Sequence, residues 1–170
     1  RAVKEAAENA GAKRVSIIEE PMAAAIGANL PVAEPTGSMI VDIGGGTSEI
    51  AVIALGGIVN NKSIRTAGDD FTDEIVEYMR KQHNMHIGER TAEMIKIEVG
   101  SALTELDNPP EEYAVHGRDM LTGIPKEIKV NYSEIAYCLD KSISKIETAV
   151  LNALEQTPPE LSADIYRTGI

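Results

Sequence analysis

Apolar positions along this chain change their period several times, and each change marks an element. Met39-Ile40-Val41 and Ile50-Ala51-Val52-Ile53-Ala54-Leu55 are apolar at every position, the pattern of strands covered on both faces. Between them lies Asp42-Ile43-Gly44-Gly45-Gly46-Thr47-Ser48-Glu49, and Gly56-Gly57 makes a second turn ahead of a third strand over Ile58 to Ala67. Tight turns between successive strands predict an antiparallel meander. Upstream, Ala2 to Ala12 reads as the tail of a helix with Gly11 near its C-terminal cap. Val15-Ser16-Ile17-Ile18 reads as a short buried strand, and Met22 to Ala28 as a helix started by Pro21. Pro31 and Pro35 mark a surface loop.

Downstream the period becomes helical. Asp70 caps a segment in which Phe71, Ile75, Val76, Met79 and His83 share one face. A second helix covers Glu89 to Leu103 and is broken at Asn108-Pro109-Pro110. Strand-like segments follow near Tyr113 to His116 and Ile128 to Tyr132. A long helix then starts near Ser133, with Ile135, Leu139, Ile143, Ile146, Val150 and Leu154 recurring every three or four residues. Thr157, Pro158 and Glu160 predict a capping box with a proline start. The order predicts an α/β layer. Residues 1–68 and 133–170 form its larger subdomain, and residues 69–132 form a smaller inserted one.

At 170 residues the chain has room for one ordinary domain or two small subdomains sharing a core. One Phe and no Trp leave that core to aliphatic side chains. A formal net charge of -11 argues against sequence-independent nucleic-acid binding, which needs a Lys/Arg surface. It also opposes adsorption to an anionic membrane unless another part of the protein supplies an anchor. Cys138 is alone, so no intrachain disulfide forms, and a reducing cytoplasm is the simplest home. No apolar stretch approaches the roughly 20 residues that span a bilayer, and no signal peptide opens the chain. The sequence begins at Arg1 rather than Met and ends at Ile170, and both ends read as cuts in a longer chain. His83, His86 and His116 lack any Cys or acidic partner at metal-ligand spacing, Cys138 reads as a packing residue, and the acidic run Asp69-Asp70 with Asp73-Glu74 reads as helix-start electrostatics.

The glycine triplet is the most informative stretch. Without side chains, the backbone N–H groups of Gly44, Gly45 and Gly46 can approach an anion and form a nest around a phosphate. Asp42 is delivered to this loop by the strand before it and suits Mg²⁺ held through water. Thr47 adds a hydroxyl. Neither the Lys of a Walker A loop nor the helix of a dinucleotide-binding fingerprint follows. Alone, the triplet reads equally well as a plain hairpin turn.

It has company. Ile18-Glu19-Glu20-Pro21-Met22-Ala23-Ala24-Ala25-Ile26-Gly27 precedes Asp42-Ile43-Gly44-Gly45-Gly46-Thr47 by about twenty residues. The pair resembles the superfamily of actins, sugar kinases and heat-shock chaperones, and its Glu-Glu-Pro form resembles the MreB family of bacterial actins. Ile64 to Asp69, Ile87 to Glu93 and Pro158 to Leu161 have counterparts there in the same order. The resemblance covers essentially the whole chain; Leu106 to Glu127 matches least, and Ser48 stands where a second Thr is commoner.

That resemblance implies a ribonuclease H-like actin-family lobe, a mixed sheet flanked by helices, with a small inserted α+β subdomain. It implies that Glu20 positions or polarises the attacking water, which suits a reaction catalysed mainly by positioning and charge neutralisation, while Glu19 is structural. Asp42 takes the magnesium role, Gly44, Gly45 and Gly46 meet the phosphates of ATP, and Thr47 bonds the phosphate or the water. Glu93-Met94-Ile95-Lys96 supplies adenosine-side contacts. The implied whole is an ATP-dependent, filament-forming cytoskeletal ATPase that maintains rod shape by organising cell-wall synthesis. It assembles head to tail with itself, lies under the inner membrane in the cytoplasm, and works with RodZ, MreC and MreD. This chain would carry half of the ATP site, lacking the first phosphate loop and the later Gly-rich adenosine loop, so alone it is expected to bind ATP weakly or not at all. The alternative is the nucleotide-binding domain of a heat-shock-type chaperone. Glu19, where chaperones have Asn, and the short insertion stand against it. A sugar kinase lobe ranks last.

Overall fold

The computed structural model describes residues 2–170. The first half of the chain runs α1 (Ala2–Asn9), α2 (Glu20–Gly27), β1 (Ser38–Ile43), β2 (Ser48–Ala54) and β3 (Gly57–Ile64). It continues with α3 (Gly68–His83), β4 (Met85–His86), α4 (Glu89–Val99), β5 (Tyr113–Asp119) and β6 (Pro125–Val130). Two helices close it, α5 (Tyr132–Glu155) and α6 (Pro159–Thr168). Packing divides the chain into two compact units. The first holds the chain through Asp42, then residues 49–62 and 153–170; the second holds residues 43–48 and 63–152. The second is larger than the expected insertion because most of α5 packs with it.

In the first unit the sheet order is β1-β2-β3, and turns this short leave antiparallel pairing as the available geometry. The continuous apolar run of β2 makes it the central strand, with Ile50, Ala51, Val52 and Ile53 wholly buried. Ala25 of α2 packs on Ala51 and Ile53, with Met22, Leu30, Val32, Ile40 and Ile58 around them. Pro21 lies in the first turn of α2, where a missing N–H costs nothing. Val15 to Ile18 is not a strand: Ile17 and Ile18 are 67% and 54% exposed. A strand needs a ladder partner, and among the described residues this run has none. The expected capping box at α6 is also absent. The Thr157 hydroxyl donates instead to Ala153 O at 2.7 Å, back into α5, and the helix starts one residue later, behind Pro158.

The second unit has its own core. Ile75 and Met79 of α3 meet Ala92, Ile95 and Val99 of α4, Val115 of β5, Val130 of β6, and Ile135 and Leu139 of α5. Its sheet runs β4-β5-β6, antiparallel throughout, with Met85 opposite Asp119 and Tyr113 opposite Val130. β5 reaches Asp119, three residues past the expected His116. α4 stops at Val99 rather than Leu103 because Gly100 follows; a Cβ there would collide with the Lys96 carbonyl. α5 starts on a reciprocal cap: Asn131 N donates to Glu134 Oε1 at 2.8 Å, and Glu134 N to Asn131 Oδ1 at 3.0 Å. Among the described residues no helix is long and apolar enough to cross a membrane.

Candidate functional site

β1 ends at Ile43 and β2 begins at Ser48, leaving the glycine triplet and Thr47 as the turn between them. Gly44 N donates to Thr47 O at 2.9 Å and closes it. Buried Ser48 donates through its hydroxyl to Thr66 O at 2.7 Å, fixing the turn to the chain that leads into α3. The first turn of α3 then meets the triplet. Gly68 N donates to Gly44 O at 3.0 Å, and Asp69 N to Gly45 O at 2.8 Å. Two carbonyls of the triplet are thereby satisfied, while the N–H groups of Gly45 and Gly46 have no acceptor among the described residues. Exposed, unpaired, successive N–H groups are the makings of an anion nest.

The packing is close at two of these points. A Cβ on Gly45 would sit 3.3 Å and 3.4 Å from the Asp69 carboxylate oxygens, and one on Gly68 would sit 3.3 Å from Gly44 O.

α4 supplies the opposite wall. Glu93 and Lys96, at i and i+3, share a face, and Lys96 Nζ lies 2.6 Å from Glu93 Oε2. The same ammonium donates to Gly68 O at 2.9 Å and to Thr72 Oγ1 at 3.0 Å. Thr72 has one hydroxyl proton, and its short contact is the 2.7 Å bond to Glu93 Oε2. These bonds, Lys96 first and Thr72 second, hold the Glu93 carboxyl below its ordinary range, so it is ionised at neutral pH. Lys96 thus pins α4 to the start of α3, with its side chain 20% exposed.

The result is a cleft of about 730 Å³, every lining residue of which belongs to the second unit. Gly44, Gly45 and Gly68 form its floor; Asp69, Phe71 and Thr72 come from α3; Arg90, Glu93 and Lys96 come from α4. Its charged lining sets Arg90 and Lys96 against Asp69, Glu89 and Glu93, with Lys96 already bonded to Glu93, and Phe71 with Ile43 gives it an apolar strip.

Of the residues singled out from the sequence, Gly44, Gly45, Glu93 and Lys96 therefore share one cleft. Gly46 and Thr47 are exposed at the turn. Met94 and Ile95 contribute no side chain to it. Ile95 is wholly buried in the core, and Met94 lines a separate hollow with Tyr113 and His116. On a helix, positions one and two residues along point away from the face they follow. Asp42, half-buried at the end of β1, and exposed Glu20, in the first turn of α2, belong to the first unit. The sequence reading missed Gly68, Asp69 and Thr72. Gly68 and Asp69 stood in a family-like segment, and Asp69 was read only as helix-start electrostatics; nothing local marked Thr72. No group of three or more His, Cys, Asp or Glu able to hold a metal occurs among the described residues.

The family model described as MreB/Mbl protein matches residues 1–170. The chain is 50% identical over 170 residues to the cell shape-determining protein MreB of Escherichia coli (strain K12), covering all of this chain and 48% of that one. It is 48% identical to the cell shape-determining protein Mbl of Bacillus subtilis (strain 168), again over all of this chain and 50% of the relative. Among solved structures, MreB5 of Spiroplasma citri bound to AMPPNP superposes with a TM-score of 0.93 at 43% identity, over 99% of this chain and 50% of that one. The chain thus spans about half the length of the relatives it matches. These matches do not favour the chaperone alternative. The lobe has the actin-like fold, and the chain belongs to the MreB/Mbl family of cell shape-determining proteins.

Proposed function

We propose that this chain supplies half of the ATP site of an actin-like, filament-forming ATPase that maintains rod cell shape by organising cell-wall synthesis. The observation that carries the reading is the glycine turn: the N–H groups of Gly45 and Gly46 are unpaired among the described residues, and Gly45 lines a cleft that Lys96 and Arg90 also line. MreB5 of Spiroplasma citri, 43% identical, has been solved with AMPPNP and with ADP, which supports a nucleotide as the ligand. Gly45 and Gly46 would hold phosphate oxygens through their backbone N–H groups, with Gly44 closing the turn that presents them, and Glu93 and Lys96 would contact the adenosine side.

Asp69 puts a carboxylate beside Gly45, so a bare polyphosphate would meet repulsion there and a metal-neutralised one would not. A donor set without a three-ligand cluster fits Mg²⁺, which keeps most of its waters and arrives on substrate phosphates. Asp42 would hold that ion through water, and the ion would neutralise phosphate charge. Glu20 orients the attacking water and Thr47 bonds it or the terminal phosphate, so the chain's part in hydrolysis is positioning. Assembly is head to tail between copies, under the inner membrane, with RodZ, MreC and MreD as membrane partners. Residues 69–132 serve as the small subdomain of this lobe.

The test is titration and pelleting of the full-length protein. Mg-ATP should bind, and the protein should sediment with ATP or AMPPNP. Gly45→Val should abolish binding, because its side chain fills the space between the turn and Asp69. Undiminished binding by that variant would sink the reading.

A further inference from the structure

Thr72 is the most deeply buried polar residue of the cleft, with 4% of its surface accessible. Three groups crowd its hydroxyl: Glu93 Oε2 at 2.7 Å, Lys96 Nζ at 3.0 Å and Gly68 O at 3.1 Å. A hydroxyl has one proton to give and two lone pairs to receive with, so only one arrangement satisfies all three. It donates to the carboxylate, the shortest contact and the charged acceptor, and it accepts from the ammonium. Gly68 O is then served by Lys96 Nζ at 2.9 Å.

That arrangement fixes groups which α4 alone would leave loose. Glu93 is 45% exposed and pairs with Lys96 at i,i+3, a geometry that contributes little when both side chains are free to turn. Thr72 approaches from a different helix, and its hydroxyl and the Lys96 ammonium hold the same carboxylate oxygen, Oε2. The depressed Glu93 carboxyl reflects both contacts, Lys96 first and Thr72 second. The cluster also reaches the glycine turn, because Lys96 bonds Gly68 O while Gly68 N bonds Gly44 O. Thr72 thus stands where α3, α4 and the turn are tied together, all within the second unit.

We propose that Thr72 is a positioning residue for the nucleotide: its hydroxyl holds the Glu93 carboxylate and the Lys96 ammonium in the one arrangement that receives the adenosine side, in register with the glycine turn. This rests on the nucleotide reading above and adds a residue that acts through Glu93 and Lys96. Groups already held in place lose little freedom when a ligand arrives, and affinity gains by what is not lost. Without the hydroxyl, the carboxylate is free to turn into water and Lys96 is one acceptor short. The role belongs to the hydroxyl; the γ-methyl only packs.

The experiment titrates full-length protein with Mg-ADP, using two variants that separate the hydroxyl from the methyl. Thr72→Val keeps the shape and the β-branch but loses the hydroxyl, and should bind about tenfold more weakly. Thr72→Ser keeps the hydroxyl and loses the methyl, and should recover most of that loss, to within about threefold of wild type. A packing role predicts the reverse order, with Val the better replacement. Beside Glu93→Ala, where the hydroxyl has lost its acceptor, Thr72→Val should weaken binding by less than about threefold more. Wild-type affinity in Thr72→Val overturns the assignment, as does weaker binding by Ser than by Val, or a tenfold loss that persists beside Glu93→Ala. If Gly45→Val abolishes binding and Thr72→Val leaves it intact, the positioning role alone fails. Wild-type protein that takes up no Mg-ADP overturns the nucleotide reading, and the role of Thr72 with it.

Discussion

Lys96 organises more of the cleft than any other side chain, since one ammonium meets Gly68 O, Thr72 Oγ1 and Glu93. Two consequences separate its roles. Hydrogen bonds from a charged group contribute about 1.5–3 kcal/mol each, so Lys96→Met should weaken nucleotide binding by the full-length protein about tenfold to a hundredfold. Glu93 behaves differently because it is 45% exposed and screened by water. Its carboxyl is depressed by Lys96 and Thr72, so its contribution to stability is full above the ordinary Glu range and is lost as pH falls through the lowered value. Urea denaturation at pH 7 should show Glu93→Gln less stable than wild type by at most about 1 kcal/mol. The gap should close as pH falls through that lowered value, where wild type is itself protonated. A gap that persists in acid would mean that Glu93 acts through packing rather than charge.

At the scale of elements, the pieces legible in the sequence were those whose pattern is local. The apolar runs of β1 and β2 and the stripe of α5 were each visible in order and type. What escaped depends on partners distant in sequence. Thr157 looked like a cap, but its hydroxyl found Ala153 in α5. Val15 to Ile18 looked like a strand but has no ladder partner among the described residues. Thr72 joined the site only because α4 lies across α3. β5 ran longer than its apolar positions suggested because polar Gly117 and Arg118 still pair with Lys126 and Pro125. Gly117 shows why the strand passes there. A Cβ at that position would lie 2.8 Å from both His86 O and Met85 Cγ, and 2.9 Å from Ile87 Cγ2. Gly117→Ala should therefore separate β4 from β5 and cost about 1–3 kcal/mol. The loss should appear as a lower urea midpoint, with faster hydrogen exchange confined to Met85, His86 and their partners.

At the scale of the whole molecule the question is how much of the proposed ATP site this chain, about half the length of its relatives, provides. The second unit supplies backbone donors, Lys96 and Arg90, but its cleft is open to solvent, whereas nucleotide-sized ligands are held in sites that cover roughly 70–90% of their surface. Asp42 and Glu20 sit outside that unit, and relatives are about twice as long as this chain. Ligand binding raises stability by RT ln(1 + [L]/Kd), so a melting shift measures the missing affinity directly. With Mg-ATP at about a hundred times the full-length Kd, full-length protein should gain about 2.7 kcal/mol. The 170-residue chain, binding at least about a hundredfold more weakly, should gain about 0.4 kcal/mol or less, and Gly45→Val should remove the gain from the full-length protein. Equal gains in the two proteins would show that this lobe holds the nucleotide unaided. The polymer would then have to sense ATP by some route other than joining two half-sites.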